Sequence, residues 1–99
     1  MKKIQNMVIG NTISRISPIE DYIQIFFIDG SILNLYNNVI FSSDYQQFFN
    51  ESVKDLLITE TMMRIIVYDK EITMSMGEKD YCTTEAFAFC SKDEEWIVG

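Results

Sequence analysis

Hydrophobic positions change rhythm along this chain, and the rhythm predicts its elements. Residues 22–28 and 31–36 form two β-branched, aliphatic and aromatic runs joined by Asp29-Gly30. That pattern predicts a β-hairpin with a two-residue type I′ turn, because glycine adopts positive φ freely and aspartate tolerates it better than most residues. A two-residue loop sets Phe26 opposite Leu33 and Gln24 opposite Leu35 on one face. It sets Ile23 opposite Tyr36, Ile25 opposite Asn34 and Phe27 opposite Ile32 on the other. Both faces are then largely apolar, which predicts a helix over one and more sheet, or a partner, over the other.

Residues 12–17 read as a short strand that Pro18 interrupts. After Ser42-Ser43 the period lengthens: Tyr45, Phe48, Phe49, Val53, Leu56 and Leu57 fall on one stripe at 3.6 residues per turn, with Gln47, Glu51, Lys54 and Asp55 opposite. Ser43 as N-cap with Gln46 three residues on matches a capping box, so an amphipathic helix is expected here. Residues 62–68, 71–76, 84–90 and 96–98 return to strand-like runs, separated by charged, turn-prone segments. The expected fold is α+β: a hairpin, one amphipathic helix and a meander, with the helix packed on a mostly antiparallel sheet of six to seven strands. At 99 residues with 47% hydrophobic content, residues 1–99 are expected to form a single domain.

Composition narrows the chemistry. Histidine is absent, which removes the commonest general base, the commonest metal ligand and every histidine-activated nucleophile. The carboxylate pairs Glu20-Asp21, Glu78 with Asp80, and 93–95 lie in expected loops, where water keeps both partners ionised and acid–base roles undivided. Residues 69–80 lack the ligand register of a calcium loop, and the isolated glycines form no phosphate-cradling loop. Cys82 and Cys90 are expected to remain thiols without chemistry, two further metal ligands being missing. The expectation is a protein that is not an enzyme and carries no cofactor and no metal. The first ten residues lack the apolar core of a secretion signal, and no run is long enough to span a bilayer, so a cytoplasmic location is expected.

The formal charge is −7 and the pI about 4.3. Residues 1–49 carry net −1 and residues 50–99 net −6. Such a field repels phosphate and anionic headgroups, which argues against nucleic acid and membrane as partners. The acidity gathers in loops after Asp69, interleaved with Tyr68, Tyr81 and Trp96. Acidic loops with aromatic residues suit a steered protein interface, in which charge raises the association rate and aromatic side chains anchor. The expected partner-binding set is a charged rim of Asp69, Glu71, Glu78, Asp80, Asp93, Glu94 and Glu95, with Tyr81 and Trp96 as anchors.

Gly10, Ile13, Ile16 and the stretch 21–37 resemble the amino-terminal hairpin of small bacterial proteins encoded beside toxins and mobile elements. Residues 83–89, with the acidic turn and Glu95-Trp96-Ile97-Val98, are similar to their closing hairpin. Some of these proteins are immunity proteins of contact-dependent growth inhibition systems. The resemblance covers about the first forty and last twenty residues and rests on turn chemistry and hydrophobic pattern. It implies a binding protein that neutralises a cognate toxin domain, commonly a nuclease, inside the cell. A nuclease cleft is basic, and carboxylates can lie where phosphates would. Two other readings fit the same features: a phage-encoded inhibitor that imitates nucleic acid toward a host defence complex, and an oligomerisation module built on the apolar hairpin. An enzyme working with carboxylates alone ranks below them.

Overall fold

The computed structural model describes residues 2–77 and 85–99. Its elements in order are a helix α1 (Lys2–Val8), strands β1 (Ile13–Ile19), β2 (Tyr22–Phe27), β3 (Ile32–Leu35) and β4 (Val39–Phe41), and a 3₁₀ turn (Tyr45–Phe48). Strands β5 (Asp55–Ile58), β6 (Met62–Val67), β7 (Lys70–Ser75), β8 (Phe87–Cys90) and β9 (Trp96–Val98) follow. The strands build two antiparallel sheets, ordered β1-β2-β3-β8-β9 and β4-β7-β6-β5. The architecture is therefore mostly β, with nine strands among the described residues, and the expected α+β layout with a helix on the sheet is overturned. Inward side chains of both sheets, among them Ile25, Leu33, Phe87, Phe89, Met63, Ile65 and Ile72, meet in one buried cluster.

The expected helix after Ser43 is the main correction. Tyr45–Phe48 makes one 3₁₀ turn whose N-cap, Asp44, forms no side-chain cap bond, and Phe49 is already extended. Asn50 then takes φ 67°, a left-handed conformation that ends any right-handed helix and that asparagine tolerates. The backbone groups of the next residues go to another segment. Asn50 N–H donates to Ile13 O (2.6 Å), Ile13 N–H to Glu51 O (2.8 Å), Val53 N–H to Asn11 O (2.8 Å) and Gly10 N–H to Val53 O (2.8 Å). A helix this short is marginal on propensity alone, so long-range pairing decides. Leu56 and Leu57, neighbours on the expected stripe, point to opposite sides of β5, the first fully buried and the second 38% exposed.

The hairpin of β2 and β3 forms with its register one residue from expectation: Ile23 pairs with Leu35, Gln24 with Asn34, Ile25 with Leu33 and Phe26 with Ile32. Phe27 N–H donates to Ser31 O (3.0 Å), which leaves a three-residue loop, 28–30. Only Gly30 in that loop has positive φ (94°), so the turn is not type I′. The Asp29 carboxylate instead accepts bonds from the Ser31 amide (2.9 Å) and hydroxyl (2.5 Å), locking the loop from one side. One step of register moves every side chain to the other face. The hairpin thus alternates, with Ile25, Phe27, Leu33 and Leu35 buried and Gln24, Phe26, Ile32 and Asn34 less so.

Two smaller corrections have similar causes. Strand β1 continues through Pro18 because it is an edge strand, where a missing amide costs no ladder bond. Helix α1, not foreseen, buries Ile4 and Val8 and is followed by Gly10 at φ 88°; the i, i+4 apolar spacing and trailing glycine are ordinary helix and C-terminal signals. Its Gln5 Nε2 donates to Leu56 O (2.7 Å), which fastens the helix to the β5 edge.

Candidate interaction face

Antiparallel register dictates which side chains share the outer face of the five-stranded sheet. Arg15, Phe26, Ile32, Cys90 and Trp96 form one cross-strand row, and Ser17, Gln24, Asn34, Ala88 and Val98 the next. Ile19 opposite Tyr22 begins a third, which Tyr36 continues, its ring 5.6 Å from that of Tyr22. No residue in these rows is acidic. The only full charge in them belongs to Arg15, whose guanidinium carbon lies 4.0 Å from the Phe26 ring centre, a cation–π contact. Trp96 is 59% exposed and Val98 52%, beside the half-buried Phe26 and Ile32. The Asn34 side-chain oxygen is buried without a hydrogen-bond partner among the described residues, while its amide nitrogen reaches Tyr36 Oη at 3.4 Å.

Carboxylates border this face at both ends. Glu20 and Asp21 occupy the β1–β2 turn, and Glu85 precedes β8; at the opposite end lie Asp29 and the β8–β9 turn with Asp93, Glu94 and Glu95. Buried Ser91 shapes that second turn: its hydroxyl accepts the Glu95 amide (3.0 Å) and the Asp93 amide (3.3 Å), and Glu94 adopts φ 64°. Lys3 Nζ lies 2.6 Å from Glu95 Oε1, tying α1 to the turn through a solvent-exposed pair of small energetic weight. The outer face of the other sheet is different in kind. Arg64 on β6 makes two bonds, 2.9 and 2.7 Å, to one carboxylate oxygen of Glu71 on β7, among Ile40, Thr73 and Leu57.

The expected partner-binding residues therefore separate. Asp93, Glu94, Glu95 and Trp96 stand together on the β8–β9 hairpin. Asp69, in the β6–β7 turn, and Glu71, already held by Arg64, belong to the other sheet, so they do not share a rim with Trp96. Glu78, Asp80 and Tyr81 lie outside the described residues, as does Cys82. Sequence reasoning missed Arg15, Tyr22, Phe26, Ile32, Tyr36 and Val98 as one surface. The signal was present as alternation along β2 and β3, but the turn length decides which set faces outward.

The chemistry open to the described residues is limited. A cavity of about 250 Å³ lies between the Asp29 loop and the β8–β9 turn, lined by Met7, Asp29, Ser31, Phe89, Ser91, Lys92 and Asp93. Partial burial of Asp29 works against its charge. The hydrogen bonds from the Ser31 hydroxyl and amide, with Asn11 and the Lys92 charge adding to them, outweigh this and hold the carboxyl below its ordinary value of 3.8. A carboxylate so stabilised is a poor base for Ser31, and the pair acts as a turn lock. Because the unfolded chain takes up this proton first, the stability Asp29 contributes is complete above pH 3.8 and is lost as pH falls through the lower folded value. Thermal melting followed from neutral pH downward should fall more steeply for the natural chain than for Asp29→Asn; parallel curves would contradict this. Among the described residues no group of three or more His, Cys, Asp or Glu is placed to hold a metal ion, and no helix is long and apolar enough to cross a membrane. Cys90 is a free thiol in the row between Ile32 and Trp96. Searches of protein-family models, curated proteins and solved structures find no match to this chain.

Proposed function

We propose that this chain is a non-catalytic binding protein that works in the cytoplasm as an immunity protein, occupying and neutralising a basic toxin domain of nuclease type. One observation carries the reading: a chain of net charge −7 keeps one outer sheet face free of carboxylates, presents Trp96 there, and frames the face with acidic turns. An apolar centre with an aromatic anchor and a charged border is the anatomy of a protein–protein interface. The acidic border raises the association rate with a cationic surface, and the apolar centre slows release. Of the described carboxylates only Asp55 and Glu71 lie in strands. Acids scattered over turns favour protein docking above imitation of a phosphate backbone, whose charges are evenly spaced.

The decisive experiment is co-purification from the native host at moderate salt, with mass spectrometry of what remains bound. The expected result is one basic protein in stoichiometric amount whose nuclease activity falls to background when this chain is added. Recovery of the chain alone, together with turnover of a small molecule, would reject the proposal. Association should slow by about tenfold or more between low and physiological salt, and again when Asp93, Glu94 and Glu95 are changed to lysine. Stopped-flow mixing measures both, and rates indifferent to salt would remove the steering role.

A further inference from the structure

The backbone of β9 faces two ways. Gly99 N–H donates to Phe87 O (3.1 Å) and Phe87 N–H returns to Gly99 O (3.2 Å), while Ser91 N–H donates to Glu95 O (2.8 Å). With Ala88 opposite Val98 and Cys90 opposite Trp96, the antiparallel alternation makes Glu95, Ile97 and Gly99 the residues bonded to β8. The amides and carbonyls of Trp96 and Val98 therefore point away from β8, along the sheet's open edge. Among the described residues no backbone group bonds to that edge.

The other edges are guarded. Strand β1 carries Pro18 and a register shift between Ile13 and Arg15, and its start is paired to residues 50–52. The Leu56 carbonyl on the β5 edge is taken by Gln5. On the β4 edge the alternation turns Val39 and Phe41 outward by backbone, yet their side chains pack on the core. Among the described strands only β9 joins free backbone groups to exposed side chains at the same residues, with no charged side chain or proline in 96–99.

We infer that the basic partner is held in part by strand addition: an extended segment of it pairs antiparallel with β9, bonding the Trp96 and Val98 backbones. The inference rests on the binding role proposed above. Charge complementarity defines the occupant. Two alternate residues of the added strand share the face of Trp96 and Val98 and must be apolar. Its carboxy-terminal end runs beside Asp93, Glu94 and Glu95 and suits lysine or arginine. A second copy of this chain would bring its own acidic turns and net charge of −7 to the edge.

The test uses the isotope-labelled full chain and the peptide acetyl-Thr-Val-Thr-Val-Lys-Lys-amide, read by NMR shifts and amide exchange. Shifts and slowed exchange are expected at Trp96 and Val98. Binding should weaken at least tenfold when both peptide valines are N-methylated, and equally in Val98→Pro, whose lost amide makes no bond to β8. Should Val98→Pro fail to fold, the N-methylated peptide on the natural chain decides the question alone. Shifts centred away from β9, equal binding of the methylated peptide, no binding at millimolar peptide, or concentration-dependent protection of these amides by a second copy would each overturn strand addition. A folded Val98→Pro that keeps its co-purified basic partner at full affinity discards strand addition but leaves the binding role; absence of any such partner discards both.

Discussion

Phe48→Ala is expected to destabilise the fold by about 3–5 kcal/mol, the usual cost of emptying a fully buried phenylalanine site. The ring is completely buried, with the Phe41 ring 5.9 Å away, and it belongs to the cluster that joins the two sheets. Domains of this size hold only about 5–15 kcal/mol in all, and each kcal/mol moves the midpoint by roughly 4–8 °C, so a fall of more than about 10 °C is expected. Leu57→Ala supplies the contrast. On an amphipathic helix both residues would sit on the buried stripe and both substitutions would be costly. On β5, Leu57 faces outward opposite Arg64, and its loss should cost less than about 1 kcal/mol. Urea unfolding of the two variants checks the pair; equal, large losses would restore the helix.

Trp96→Ala should separate binding from folding. An exposed side chain on a three-residue edge strand holds little of the core together, so unfolding should shift by less than about 1 kcal/mol. At an interface the same indole is a central anchor, and truncating such a residue commonly costs about 2 kcal/mol or more, roughly thirtyfold or greater in affinity. Titration of the basic partner proposed above by calorimetry, beside a thermal melt of the free variant, measures both. Affinity within about threefold of the natural chain would remove Trp96 from the interface. Cys90, beside Trp96 in the same row, provides a second probe, since a bulky thiol adduct there should hinder docking without entering the core.

Much of the strand content was legible residue by residue, because period-two runs of β-branched and aromatic residues bounded by charged turns describe half-buried strands directly. Strands β6, β7, β8 and β9 lie within or against the runs so identified. Failures came where a local pattern fitted two structures. The stripe from Tyr45 to Leu57 satisfies a helix, yet Phe48, Val53 and Leu56 are buried equally well by a 3₁₀ turn, a left-handed Asn50 and a strand. The difference lies in the bonds of residues 50–53 to residues 10–13, about forty positions away, which no local period encodes. The outer face of the five-stranded sheet was hidden for a related reason. Its rows depend on whether the loop around Asp29-Gly30 holds two residues or three, and Ser31 settles that by giving both its amide and its hydroxyl to the Asp29 carboxylate.

By itself the amino-acid sequence determined the anionic character, the absence of histidine chemistry, the strand-rich carboxy-terminal half and Trp96 on an acidic hairpin, since composition and nearest-neighbour alternation are local quantities. Tertiary structure alone decided that two sheets share one core, that Glu71 is spent on Arg64 away from Trp96, and that Phe26, Ile32 and Trp96 form one surface without carboxylates. Those outcomes depend on register and long-range pairing, where a single residue of slip exchanges the inside of a strand for its outside.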